Sequence, residues 1–187
     1  TILKDVSFGM YHGEKTALVG LNGCGKSTLI RILAGLDPDF GGVVNLIPQK
    51  AKIGYFPQWI EFPPTTIDAI LDEALDKAGV VALWERDLTK HKSLEDVNLT
   101  CLHPNSSADK LSGGEKTRLY LACLLVENPD FLLLDEPSNF LDIDGLRWIE
   151  NFLRRIPQGV LFVSHDRYLI DAAADRVIEL EDGKISS

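Results

Sequence analysis

Thr16-Ala17-Leu18-Val19-Gly20-Leu21-Asn22-Gly23-Cys24-Gly25-Lys26-Ser27-Thr28-Leu29-Ile30 is the stretch that decides the fold. Thr16 to Val19 reads as a short buried strand, Gly20 to Gly25 as a loop, and Lys26 to Leu33 as a helix that stops near Gly35 and Pro38. Gly20 to Ser27 matches G-x-x-x-x-G-K-S/T at every fixed position. Glycines let backbone N–H groups turn inward without a Cβ clash. A helix that begins near Lys26 aims the positive end of its dipole at the same point. Gly20, Leu21, Asn22, Gly23, Cys24, Gly25, Lys26, Ser27 and Thr28 are therefore read as a cradle for phosphate groups. Lys26 is suited to the β- and γ-phosphates of a nucleotide, and the Ser27 hydroxyl to a magnesium ion.

A second stretch belongs with the first. Phe131-Leu132-Leu133-Leu134-Asp135-Glu136 is an apolar run that ends in two carboxylates. Four consecutive apolar residues mark a strand buried on both faces of a parallel sheet. Ligands of open α/β sheets bind beyond the carboxyl ends of such strands. Asp135 is expected to face the metal through water, and Glu136 to polarise an attacking water as general base.

The remaining chain alternates strands with helix-period runs, which predicts an α/β domain. Val6 to Phe8, Val43-Val44, Ile53 to Phe56, Val160 to Val163 and Val177 to Leu180 read as further strands. Thr66 is a plausible N-cap for a helix carrying Ile67, Ile70, Leu71, Ala74 and Leu75 on one face. Ser112 to Glu127 reads as a helix with Leu119, Ala122, Cys123 and Val126 inward, and Leu146, Ile149, Phe152 and Leu153 mark another. The apolar pattern is irregular from 79 to 110, and the residues before and after it carry the α/β signal. The expected organisation is a core of residues 1–64 and 111–187 with a mostly helical insertion at 65–110 that leads into the following helix.

The totals set bounds. A chain of 187 residues with 45% hydrophobic and 25% charged content suits one domain with a full core. No apolar run approaches the roughly 18 residues needed to cross a bilayer, and no secretory leader opens the chain. A net charge of −9 opposes broad adhesion to nucleic acid, so no direct nucleic-acid contact is expected of this chain. The three cysteines lack paired or zinc-site spacing and read as reduced thiols of a cytoplasmic protein. The first residue is not Met, which suggests a domain of a longer protein.

Leu111-Ser112-Gly113-Gly114-Glu115, downstream of the phosphate loop, resembles the signature of the ATP-binding-cassette family. Further matches follow in family order. Gln58 in Tyr55-Phe56-Pro57-Gln58 resembles the Q-loop glutamine, Asp142 the D-loop aspartate, and His165 in Val163-Ser164-His165-Asp166-Arg167 the switch histidine. The turn at Gly183 resembles the usual end of the domain. Taken singly, each has an ordinary reading: a surface glutamine, a helix N-cap and turn, an N-cap aspartate, a loop histidine. The resemblance rests on their joint order.

It implies a P-loop core of this type with a small antiparallel β subdomain and a helical subdomain. It implies an ATPase with ATP and Mg²⁺ as ligands, with Glu136, His165 and Gln58 as catalytic residues and Ser27, Gln58 and Asp135 around the metal. Ser112, Gly113 and Gly114 would cap the γ-phosphate held by a second, head-to-tail cassette. Asp135-Glu136-Pro137-Ser138-Asn139-Phe140-Leu141-Asp142 is similar to the "DEPTNHLD" block of the ABC-F branch, with Ser138 and Phe140 where that branch usually has Thr and His. That branch is cytoplasmic and acts on the ribosome. The alternatives are the motor of a membrane transporter, which would need a membrane-domain partner, and an ATP-controlled dimerisation switch with little turnover. The family's adenine-stacking aromatic would precede Leu3; Tyr11 is a poor substitute by position.

Overall fold

The computed structural model describes residues 3–186. Strands β1 (Lys15–Val19), β2 (Ile53–Phe56), β3 (Phe131–Asp135), β4 (Gly159–Val163), β5 (Arg176–Glu181) and β6 (Lys184–Ser186) form one sheet in the order β2-β3-β4-β1-β5-β6. The first five run parallel, and β6 returns antiparallel to β5 through the Asp182-Gly183 turn. Helices α1 (Lys26–Leu33), α2 (Ile67–Ala78), α3 (Leu83–Asp96), α4 (Gly113–Val126), α5 (Ile143–Arg155) and α6 (Arg167–Ala173) intervene, with a short 3₁₀ turn at Ala108–Lys110. The fold is α/β with a mainly parallel sheet, as the alternation of apolar runs and helical periods predicts.

The chain forms two compact units. The first holds the chain up to Gln58, Asp130–Asn139 and everything from Leu146 onward. Its core is Leu18, Leu29, Ile30, Leu133, Leu161, Val163, Ile178 and Leu180, all buried. Burying each such side chain contributes about 1.5–3 kcal/mol relative to exposure. α1 lies against β3, so the helix after the phosphate loop is packed on the strand that carries the carboxylates.

Two of the expected strands do not form. Val6, Phe8 and Met10 alternate inward onto this core, as a strand would. Among the described residues the segment makes no ladder with the sheet: its partners there are Gly183 O, which accepts from Lys4 N–H at 2.6 Å, and the Arg176 side chain, which donates to Gly9 O at 3.1 Å. Val43 and Val44 are exposed and outside any strand. Side-chain alternation is not enough without a neighbouring edge to complete the ladder. Among the described residues the antiparallel pairing is therefore the β5–β6 hairpin and a single bridge, Thr66 to Ser107, rather than a separate β subdomain.

The second unit is helical: Trp59–Pro129 together with Phe140–Gly145. Its limits differ from the expected 65–110. α4 belongs to it because Val126 and Cys123 pack on Ala74 and Leu75 of α2. Thr66 caps α2 by accepting from the Ala69 N–H at 3.1 Å. α3 escaped the sequence pattern because its contacts toward α2 are ionic. Arg86 reaches Asp72 at 2.7 Å, Asp76 at 2.6 Å and the Val80 carbonyl at 2.9 Å. Lys90 reaches Asp68 at 2.8 Å and Asp72 at 2.9 Å, and Ser93 is buried one turn on. Residues 86, 90 and 93 keep helical spacing, but with polar side chains. Burial works against the Asp72 carboxylate, and Lys90 and Arg86 more than reverse it, so its pKa falls below the ordinary value.

In the first unit Lys15 opens β1 with its side chain turned inward. Its ammonium donates to the carbonyls of Gly13 (2.8 Å), Ile156 (2.9 Å) and Gln158 (2.8 Å), and its backbone N–H donates to Asp175 Oδ2 (2.8 Å). Lys15→Met keeps the volume but leaves three carbonyls without their donor. It is expected to lower stability by about 2–4 kcal/mol. Urea unfolding reads this as a lower midpoint at unchanged slope; an unchanged midpoint would show that the ammonium contributes nothing.

Candidate functional site

The phosphate loop takes its shape from backbone geometry. Gly20 has φ 150° and Gly25 φ 109°, both on the side of the map that L side chains rarely adopt. A Cβ at Gly20 would collide with the Leu180 carbonyl oxygen and sit 2.9 Å from Cys24 Sγ. Lys26 folds back over the loop, its ammonium donating to Gly20 O at 2.8 Å and Leu21 O at 3.0 Å. Gly25, at the N-cap of α1, offers no side-chain acceptor, and no acidic residue lies in the first turn. The first intrahelical bond is Leu29 N–H to Gly25 O at 2.9 Å. The amides of Lys26, Ser27 and Thr28 are thus left to an outside acceptor, which is what an anion-binding helix end requires.

Register brings the other residues to the same sheet edge. Leu18 of β1 pairs with Val163 of β4, and Val163 pairs with Asp135 of β3. Phe56 of β2 pairs with Leu134. The strands run parallel, so the Gly20 loop, Gln58, Asp135, Glu136 and His165 all follow the carboxyl ends of neighbouring strands. Gln58 is exposed there, two residues past β2.

Asp135 is 2% exposed, and its Oδ1 has no hydrogen-bond partner. Burial pushes its carboxyl above the ordinary range; a hydrogen bond with Ser27 and the nearby Lys26 charge pull the other way. An orphaned carboxylate oxygen beside a serine hydroxyl is a hard oxygen donor set, which fits Mg²⁺ completed by water and phosphate oxygens. Among the described residues no three His, Cys, Asp or Glu side chains gather as a protein-only metal site.

Glu136 follows with a left-handed backbone, φ 55°, and its N–H donates to Val163 O at 3.1 Å. A non-glycine residue in that region is uncommon and often marks a functional position. The carboxylate Oε1 lies 3.1 Å from His165 Nε2. Burial raises the Glu136 pKa, with the His165 charge opposing and Asp135 reinforcing the shift. Direction and position suit a base that must take up a proton. Two serines hold this corner. Ser138 Oγ and Ser164 Oγ are 3.2 Å apart, and Ser164 Oγ accepts from the Asp166 N–H at 3.0 Å. Sequence reasoning did not single out this pair, although Ser164 directly precedes His165 in a run of matched residues. Asp166 then caps α6 by accepting from Tyr168 and Leu169.

Ser112, Gly113, Gly114 and Asp142 lie in the helical unit. Ser112 caps α4 in a reciprocal box: its hydroxyl accepts from Glu115 N–H at 3.3 Å, and its own N–H donates to Glu115 Oε2 at 2.8 Å. Asp142 Oδ1 accepts from the Gly145 N–H at 2.8 Å. The N-cap readings of both residues therefore hold. Neither role excludes service to a ligand, because the box leaves the amides of Gly113 and Gly114 without an intrahelical acceptor. Tyr11 is 66% exposed.

Asp135 carries a stability consequence. Its folded-state pKa lies above the ordinary 3.8, so the stability it contributes while protonated is lost as pH rises through the folded value. Above that value the buried, half-satisfied carboxylate weakens the fold. Asp135→Asn is expected to raise the melting temperature of the nucleotide-free protein at pH 7 by at least about 2 °C. The gain should shrink toward pH 4, which calorimetry at the two pH values reads directly. A lower melting temperature at pH 7 would contradict the argument.

The family model described as ABC transporter matches residues 3–139. The chain is 36% identical to energy-dependent translational throttle protein EttA of Haemophilus influenzae over 98% of its own length and 39% of that protein. Against EttA of Mycobacterium tuberculosis the figures are 33%, 98% and 38%. The chain thus spans about two fifths of the curated relatives it matches. Among solved structures it superposes on a dimeric cassette, MJ0796 of a bacterial ABC transporter, with TM-score 0.87 at 26% identity over 100% of this chain and 89% of that one. A post-hydrolysis dimer of the same cassette with ADP and Pi gives TM-score 0.80 at 26% identity, with the same coverage. With the phosphate loop, the carboxylates and the histidine on one sheet edge, and the family model covering most of its length, this chain belongs to the ABC transporter family of ATP-binding cassettes.

Proposed function

We propose that this chain is the ATP-hydrolysing cassette of an ABC-F type protein that works in the cytoplasm on the ribosome. The observation that carries the chemistry is Glu136 Oε1, buried beside Asp135 and 3.1 Å from His165 Nε2. The translational role is supported by the EttA relatives and by the Asp135–Asp142 stretch. Solved transporter cassettes share the fold, which supports the family more than the role.

In this reading the amides of the Gly20 loop and of Lys26 to Thr28 bind the triphosphate of ATP. Lys26 gives up its loop carbonyls to reach the β- and γ-phosphates. Ser27 and Asp135 would hold Mg²⁺, which would supply charge neutralisation for the phosphates. Glu136 accepts a proton from the attacking water as its oxygen bonds to the γ-phosphorus and the bond to ADP breaks. His165 orients Glu136 and faces the charge on the transferred group. Gln58, two residues past the neighbouring strand β2, would offer its side-chain amide to the metal and the attacking water. Ser112, Gly113 and Gly114 serve the nucleotide of a second cassette in a head-to-tail pair, so that binding closes the pair and hydrolysis releases it. Positioning and electrostatics do most of the catalytic work.

Glu136→Gln is expected to keep ATP affinity within about twofold, cut turnover by roughly 10²–10⁴-fold, and hold ATP-bound protein on ribosomes in a sedimentation assay. Full turnover in this variant removes Glu136 from the mechanism. Retention of ATP without ribosome sedimentation removes the translational role. The raised pKa sets a second expectation. The acid limb of kcat/KM for the wild-type protein should lie above the ordinary glutamate value of 4.5, because the base must be ionised to work. A limb at or below 4.5 would assign the base elsewhere.

A further inference from the structure

Phe140–Gly145 follow the β3 carboxylates in sequence, yet they group with the helical unit. The contacts show why. A Cβ on Gly113 would stand 2.7 Å from Phe140 Cβ and 3.4 Å from its Cγ. Gly114 faces Leu141 Cδ2 at 3.5 Å and Phe140 O at 3.9 Å, measured from the same kind of Cβ position. Residues 140–141 are thus the floor beneath both signature glycines. The first turn of α4 approaches them this closely only because Gly113 has no side chain.

Phe140 is held there at a conformational cost, with φ 66° in the left-handed region. The residue is 58% exposed, so burial does not explain the position. The ring instead meets Trp59, centroids 5.2 Å apart and planes at 51°. That separation and tilt suit an aromatic pair. Trp59 is itself 70% exposed and directly follows Gln58. Beyond Phe140 the segment is pinned again by the Asp142 cap on Gly145. A strained backbone, kept by two solvent-facing rings and set against the two glycines, points to a positional task.

We propose that Phe140 and Trp59 are positioning residues that clamp the floor of the Gly113–Gly114 amides and so set their geometry toward the γ-phosphate of a partner cassette. The inference rests on the partner-capping reading given under Proposed function. It also gives a physical part to Phe140, the residue that stands where the ABC-F block usually has His. The clamp makes one body of the residue after Gln58, the segment after the carboxylates and the first turn of α4.

The test compares wild-type protein with Phe140→Ala, Phe140→Tyr, Trp59→Ala, Trp59→Phe and Gly114→Asp. Steady-state ATP turnover and equilibrium binding of a fluorescent ATP analogue are measured for each. Phe140→Ala and Trp59→Ala should each lower kcat by about tenfold or more, with nucleotide affinity within about twofold of wild type. Phe140→Tyr and Trp59→Phe, which keep the ring pair, should restore kcat. A general loss of folding would reduce affinity together with turnover, and the Trp59 variants carry the test if Phe140→Ala does not fold. Gly114→Asp puts a carboxylate where the partner's γ-phosphate is held and should abolish turnover. If it does so while both alanine variants keep wild-type kcat, the clamp is overturned and the capping reading stands. If Gly114→Asp turns over normally, the capping reading fails and the clamp with it.

Discussion

Parallel register at one sheet edge is the constraint on which this molecule depends. Leu18, Val163 and Asp135 stand abreast on β1, β4 and β3, so three separate loops leave the sheet at the same level. The phosphate loop, the paired carboxylates and His165 come from segments far apart in the chain. Nothing local brings them together. The ladder of backbone hydrogen bonds does so, locked by an apolar core that includes Leu18, Leu133, Leu161 and Val163. A one-residue slip in any of these strands would turn a core side chain to the wrong face, which is why the alignment is strongly specified.

The site built on that edge works against the fold that carries it. Asp135 and Glu136 are buried acids whose desolvation raises their pKa. Glu136 also has a left-handed backbone. A chain selected for stability alone would not place two carboxylates at a covered strand end. Such local inconsistency is expected where function overrides packing. The same tension reappears in the helical unit, where Phe140 keeps a positive φ and an exposed ring close to the signature glycines.

The helical unit is assembled by a different physics. α2 and α4 share an apolar seam at Ala74, Leu75, Cys123 and Val126. α3 lies against α4 as well, and it reaches α2 by pairing Arg86 and Lys90 with aspartates. Hydrophobic periodicity detects the first kind of contact and is blind to the second. That is why Ile67 to Leu75 was readable and 79–110 was not. The domain limits shifted for a related reason: α4 looks like the start of the second half of the core in sequence, but its buried face belongs to α2.

What the sequence determined by itself were the parts whose physics is local. Gly20, Gly25 and Lys26 prescribe a tight loop that opens directly into a helix. Four apolar residues before Asp135 prescribe a buried strand that ends in charge, and Ser112 with Glu115 prescribes a capped helix start. Only the tertiary structure decided what depends on neighbours. It left the Val6 to Phe8 alternation without a ladder, because a strand exists only beside a partner edge. It paired Ser138 with Ser164 and aimed Glu136 at His165, because register is set across the sheet. It drew Phe140–Gly145 into the helical unit, because a glycine without a Cβ and a tryptophan ring eighty residues away offered the surface that fits. Those are long-range choices, and no window of sequence contains both sides of them.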